Sequence, residues 1–185
     1  MDPELEPPRL FLIDGSLYIF RAFHAIPHLS NSQGIPTNAV YGFTTMLLKL
    51  LREAQPHFMA MVFDSTGKTF RHQTYPAYKG NRPELPPTLA PQFPYLYRVV
   101  KALQLVVLQK EGFEADDIIA SVAAQMETVR VDTVVVTGDK DLMQIVAPHV
   151  TLWDTMRDKR VGVQEVRERF GGGARAGSRC ARAYR

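Results

Sequence analysis

Seven carboxylates carry most of the chemistry legible in this sequence: Asp14, Asp64, Glu114, Asp116, Asp117, Asp139 and Asp141. Three apolar runs each lead into one of them. Leu10-Phe11-Leu12-Ile13 precedes Asp14, Phe58 to Phe63 precedes Asp64, and Thr133 to Gly138 precedes Asp139. A single aspartate after an apolar run is ordinarily a turn or capping residue. Lys140, between Asp139 and Asp141, would equally suit a solvated turn. Glu114, Asp116 and Asp117 suit the start of a helix, whose dipole favours each negative group by about 0.3–1 kcal/mol. That gain is too small to offset the crowding of so many carboxylates on one surface, so cations are the natural counter-charge.

The elements between these acids decide whether they meet. Asn38 to Gln55 repeats Val40, Phe43, Leu47, Leu48 and Leu51 at helical spacing, with Asn38 expected as the N-cap. Glu114 to Thr128 repeats Ile118, Val122 and Met126 in the same way. Apolar runs read as buried strands, and strands alternating with helices imply an α/β fold: a mainly parallel central sheet with helices on both faces. The carboxyl ends of parallel strands share one edge, where ligands bind. All seven acids are expected on that edge.

Composition sets the frame. The chain has 185 residues, 45% hydrophobic and 22% charged, as expected for one soluble globular domain. Met1 to Pro8 is acidic and proline-containing, and no apolar run approaches the ~18 residues of a membrane span, so a cytoplasmic protein is expected. One cysteine, Cys180, excludes disulfides within the chain and thiolate zinc sites. The net charge of +3 is weak evidence for a polyanionic partner, because Arg175, Arg179, Arg182 and Arg185 near the C-terminal end supply it. Without them the 22 basic residues fall below the 19 acidic ones. More telling is Lys68 to Arg82, with Lys68, Arg71, Lys79 and Arg82 and no acid.

Six segments in order resemble the 5′-nuclease domain of bacterial DNA polymerase I, in the flap-endonuclease family. They are Ile13-Asp14-Gly15-Ser16, Val62-Phe63-Asp64, Lys68-Thr69-Phe70-Arg71, Tyr78-Lys79-Gly80-Asn81-Arg82-Pro83, Glu114-Ala115-Asp116-Asp117-Ile118 and Thr137-Gly138-Asp139-Lys140-Asp141. Any one is weak, and the ordered set is specific. The resemblance implies a PIN-like or resolvase-like fold in which the seven acids hold two or three Mg2+ or Mn2+ ions through oxygen ligands that suit hard cations. Two ions about 3.5–4 Å apart activate water, neutralise a scissile phosphate and stabilise the leaving oxygen. The implied reaction is hydrolysis of DNA phosphodiesters at a 5′ flap or 5′ end, including RNA primers, leaving a 5′-phosphate, in the bacterial cytoplasm at the nucleoid.

The resemblance also assigns roles outside the acids. Lys68 to Pro83 corresponds to an arch over the site, with Lys79 and Arg82 at the scissile phosphate and Arg71 on the backbone nearby; with Asp116, Lys79 and Arg82 form the implied catalytic set. Tyr75 and Tyr78 would stack on unpaired bases, worth about 1–3 kcal/mol per base. For Tyr75 packing beneath the loop is the alternative. Asn31 to Gly42, with Thr37 and Asn38, corresponds to the segment that meets the duplex, although a turn and helix cap would explain it locally.

After Phe170-Gly171 the pattern stops. Residues 1–8 read as a flexible start, 9–171 as the nuclease domain, and 172–185 as a Gly/Arg-rich tail without the acids or the duplex-gripping helices that the family pattern continues with. A reading-frame shift is the expected origin of that tail, with an ordinary flexible tail as the alternative, and sequencing the coding DNA decides between them. Two rival readings follow: a fragment that binds DNA or metal weakly without cleaving, and a PIN-type ribonuclease, against which the basic arch argues.

Overall fold

Strand alternation builds two cores. The computed structural model describes residues 8–81 and 84–171. In chain order these form β1 (Arg9–Asp14), α1 (Gly15–Ala25), α2 (Asn38–Ala54), β2 (Phe58–Val62), α3 (Phe70–Thr74), α4 (Phe93–Ala102), β3 (Val106–Leu108), α5 (Ala115–Thr128), β4 (Asp132–Val136), β5 (Val150–Asp154), β6 (Lys159–Val161) and α6 (Val163–Phe170). Along β1, Phe11 and Ile13 enter one core and Leu12 the other. Met61 of β2, Val134 and Val136 of β4 and Trp153 of β5 join Phe11 and Ile13 beneath α1, α2 and α4. Ala60, Val62, Val135 and Leu152 join Leu12 beneath α5. Both faces of the sheet are therefore covered, as a parallel sheet requires.

The strand order is β3-β2-β1-β4-β5-β6, parallel throughout except for the β5–β6 pair. The expected α/β class with a mainly parallel sheet is what the chain adopts. Register aligns the site: Ile13 pairs with Met61 on one side and with Val136 on the other, so β2, β1 and β4 end together.

The sequence reading placed Asn38 as the cap of α2. Instead Thr37 occupies the N-cap position without a side-chain cap bond, and Asn38 is the first residue of the helix. The first-turn amides of α2 are satisfied from a distance. Gln92, fully buried, accepts the N–H groups of Ala39 and Val40 with Oε1 (2.9 and 3.2 Å) and donates from Nε2 to Asn38 Oδ1 and Thr88 O. Asn38 Nδ2 in turn donates to the carbonyls of Phe23 and Ile26 at the end of α1. One buried amide pair thus closes two helix ends that would otherwise leave unpaired backbone groups.

The tail at residues 172–185, residues 1–7, Arg82 and Pro83 lie outside the described residues, and so do the expectations placed on them. Among the described residues no helix is long and apolar enough to cross a membrane.

Candidate functional site

Asp14 ends β1 and caps α1. Its Oδ1 accepts the Leu17 N–H at 3.0 Å, and its Oδ2 accepts the Thr137 hydroxyl at 3.1 Å. Gly15 follows because α1 starts hard against β2: a Cβ there would run into the Phe63 ring and the Met61 sulfur. Burial pushes the Asp14 carboxyl up to about 6, with the charges of Asp64 and Asp139 adding to the shift and the two hydrogen bonds opposing it.

Asp64 lies two residues past β2. It accepts the Ala115 N–H with Oδ1 at 2.9 Å, which ties it to the first turn of α5. Its own N–H donates to Ser16 Oγ at 3.4 Å. Asp139 lies three residues past β4, in a bend held by the same Thr137 hydroxyl, which accepts the Asp139 N–H at 3.1 Å. Gly138 is required in that bend because the Arg21 guanidinium occupies the place of a side chain. Arg21 is held there by a two-point ion pair with Asp154 at 2.6 and 3.1 Å. Asp141 opens the 3-10 turn Asp141–Ile145, is exposed, and donates its N–H to Asp139 Oδ1 at 2.8 Å.

Asp116, in the first turn of α5, completes a group of four. Burial pushes its carboxyl up to about 7, and the charges of Asp14, Asp139 and Asp64 raise it further while Lys79 opposes them. Four aspartates from four separate places in the chain therefore act on one another at a single sheet edge. Among the described residues no three of them close around a point tightly enough to cage an ion. The donor set still fits a hard divalent cation: it is all oxygen, it is under-compensated in charge, and Mg2+ in particular keeps much of its water and takes only one or two carboxylates directly.

Glu114 and Asp117 stand apart from this group. Glu114 caps α5 and is occupied by the arch segment: Oε1 accepts from Lys79 Nζ at 2.7 Å, and Oε2 from the Tyr78 hydroxyl at 3.1 Å, with Arg71 Nη1 3.5 Å away. Asp117 accepts both prongs of the Arg71 fork at 2.6 Å. Burial opposes its ionisation, but the Arg71 fork and the Glu114 N–H outweigh that and hold the carboxyl below its ordinary value. Lys79 adopts a left-handed backbone (φ 56°), a conformation that costs a non-glycine residue about 1 kcal/mol or more. Its ion pair to Glu114 holds it there.

The remaining expected contacts divide. Lys68 is exposed, and Tyr75 is 62% exposed. Tyr78 is half-buried, edge-on to His72. Thr37 is partly exposed beside a closed bend in which Asn31 Oδ1 accepts from Gln33 and Ile35 N–H. Asn38, expected at the duplex, is 5% exposed and committed to Phe23, Ile26 and Gln92, so its amide serves the helix ends. Thr137, Arg21 and Asp154 were not anticipated as site residues. Val150 to Asp154 is a fourth apolar run ended by aspartate, which the strand-end criterion could have found.

The family described as the 5′-3′ exonuclease, N-terminal resolvase-like domain, matches residues 9–171. The chain belongs to that family. Among its relatives, DNA polymerase I of Rhizobium leguminosarum is 48% identical over 170 residues, covering 88% of this chain and 17% of the polymerase. The 5′-3′ exonuclease of Aquifex aeolicus (strain VF5) is 37% identical over 162 residues, covering 88% of this chain and 56% of that protein. This resolvase-like domain thus spans only part of the length of the curated relatives it matches. In fold it resembles a variant of bacteriophage T5 flap endonuclease solved as a pseudo-enzyme-product complex with DNA and metal ions, with a TM-score of 0.67 at 19% identity, covering 87% of this chain and 60% of that one.

Proposed function

We propose that this domain hydrolyses DNA phosphodiester bonds with divalent cations, Mg2+ or Mn2+, held between Asp14, Asp64, Asp116 and Asp139. The observation that carries the reading is Asp116, whose carboxyl is pushed up to about 7 by burial and by three aspartates from other elements. Such mutual repulsion is costly in a site without cations and is relieved by them. When bound, two or three such ions supply Lewis-acid charge at the scissile phosphate.

The chain's own residues do the rest. Thr137 sets the spacing of Asp14 and Asp139 through one hydroxyl. Asp141 lies at the margin of the group, where carboxylates act through water, and Glu114 holds Lys79 and Tyr78 beside it. Lys79 and Arg71 sit beside the acids, where a phosphodiester approaching the cations meets them, and Arg82 belongs to the same basic segment. Lys68 and the exposed Tyr75 ring offer a phosphate contact and a stacking surface along that segment. The substrate in this reading is DNA with a 5′ flap or 5′ end, including RNA primers.

The test is Mg2+-dependent cleavage of a labelled 5′-flap duplex, with Asp116→Ala as control. A product from the wild type that disappears with chelator and in the variant supports the reading. Absence of any metal-dependent product contradicts it.

A further inference from the structure

Asp117 shares a motif with Glu114 and Asp116 but its side chain faces a different task. It is 9% exposed, and both of its oxygens are already used. Oδ1 accepts from Arg71 Nη2 and Oδ2 from Arg71 Nη1, each at 2.6 Å, and Oδ2 also accepts the Glu114 N–H at 3.0 Å. A two-pronged guanidinium–carboxylate pair of this length is among the strongest protein hydrogen-bond arrangements. A cation at Asp117 would have to compete with the Arg71 guanidinium for both carboxylate oxygens. The pair also joins two pieces of chain far apart in sequence: Arg71 lies in α3, at the foot of the arch segment, and Asp117 in the first turn of α5.

Other contacts at the same junction point the same way. The Phe70 N–H donates to Gly112 O at 3.0 Å, the Phe70 and Phe113 rings meet at 5.8 Å, and the Arg71 guanidinium lies 4.6 Å over the Phe70 ring. We propose that Asp117 is a positioning residue that clamps the foot of the arch to α5 through Arg71, and is not a metal ligand. The clamp deepens the nuclease reading by setting where Tyr78 and Lys79 stand relative to Asp116. It also separates the roles of two adjacent acids: Asp116 serves the cation and Asp117 the arch.

Asp117→Asn isolates that role, because an asparagine still accepts the Glu114 N–H while losing the charge that holds Arg71. Two readouts decide the matter on the whole chain. Chymotrypsin, cutting after Tyr78 in the arch, should act at least about fivefold faster on Asp117→Asn than on the wild type, because cleavage follows the population of the open segment. Arg71→Gln should match it, and Arg71→Lys, which keeps the charge without the fork, should fall between. Mn2+ binding, followed by the signal of free Mn2+ in electron paramagnetic resonance, should stay within about twofold of wild type for Asp117→Asn and weaken by about tenfold or more for Asp116→Asn.

Unchanged chymotrypsin rates in both Asp117→Asn and Arg71→Gln would overturn the clamp. So would a loss of Mn2+ affinity in Asp117→Asn equal to that in Asp116→Asn. If the wild type takes up no Mn2+, the metal reading of the carboxylates fails, and the clamp is then judged on the chymotrypsin rates alone.

Discussion

At the scale of single residues, the site trades stability for charge. Asp14 and Asp116 have folded values of about 6 and about 7, both above the ordinary carboxylate value of 3.8. Without metal, the folded chain therefore holds protons that the unfolded chain gives up. The stability these groups contribute is full below about pH 4 and is lost as pH rises through 6 and 7. We expect the metal-free protein to melt at a higher temperature at pH 5.5 than at pH 8, measured by circular dichroism, and Asp116→Asn to flatten that difference. At pH 8 the same substitution should stabilise the metal-free chain by on the order of 1 kcal/mol, solvent screening reducing what the full shift would give. A lower melting temperature for Asp116→Asn at pH 8 would contradict this. Gly138→Ala is a second test: the added methyl displaces the Arg21 guanidinium from its pair with Asp154 beside the Asp139 bend, and Mn2+ affinity should fall. Combining it with Arg21→Ala makes room and should recover part of the loss.

At the scale of elements, the two amides of Asn38 and Gln92 matter more than their exposure to sequence patterns suggests. Gln92→Leu leaves the Ala39 and Val40 N–H groups and Asn38 Oδ1 without their buried partner. The expected cost is at least about 3 kcal/mol of unfolding free energy in urea denaturation, since each of the three orphans costs about 1–3 kcal/mol. A change below about 0.5 kcal/mol would show that water replaces the amide. The strands β1, β2 and β4 and the helices α2 and α5 were legible because long apolar runs and 3.6-residue periodicity report burial directly. Gln92 was not, because its partners in α2 lie more than fifty residues away and no local spacing signals a cap supplied from so far along the chain. β3 and β6 were missed for other reasons: the apolar run Leu105 to Leu108 is not followed by an acid, and β6 is three residues, Lys159-Arg160-Val161, with one apolar side chain.

At the scale of the molecule, the sheet does the assembling. Parallel register brings the ends of β1, β2 and β4 level, and α5 returns across the sheet so that its first turn meets Asp64 through the Ala115 N–H. The convergence of Asp14, Asp64 and Asp139 was readable from strand-end aspartates, and that of Asp116 from the acids at the start of α5. The diversion of Glu114 and Asp117 toward Lys79 and Arg71 was not, because two bases among seven acids can pair in several ways and only packed geometry selects one. The central claim is that those four aspartates share their charge with divalent cations, and proton release tests it most directly. Calorimetric titration with Mn2+ at pH 6, repeated in buffers of different ionisation enthalpy, should show release of about one proton per binding event as Asp116 and part of Asp14 deprotonate. Binding heats that do not vary with buffer would contradict the account.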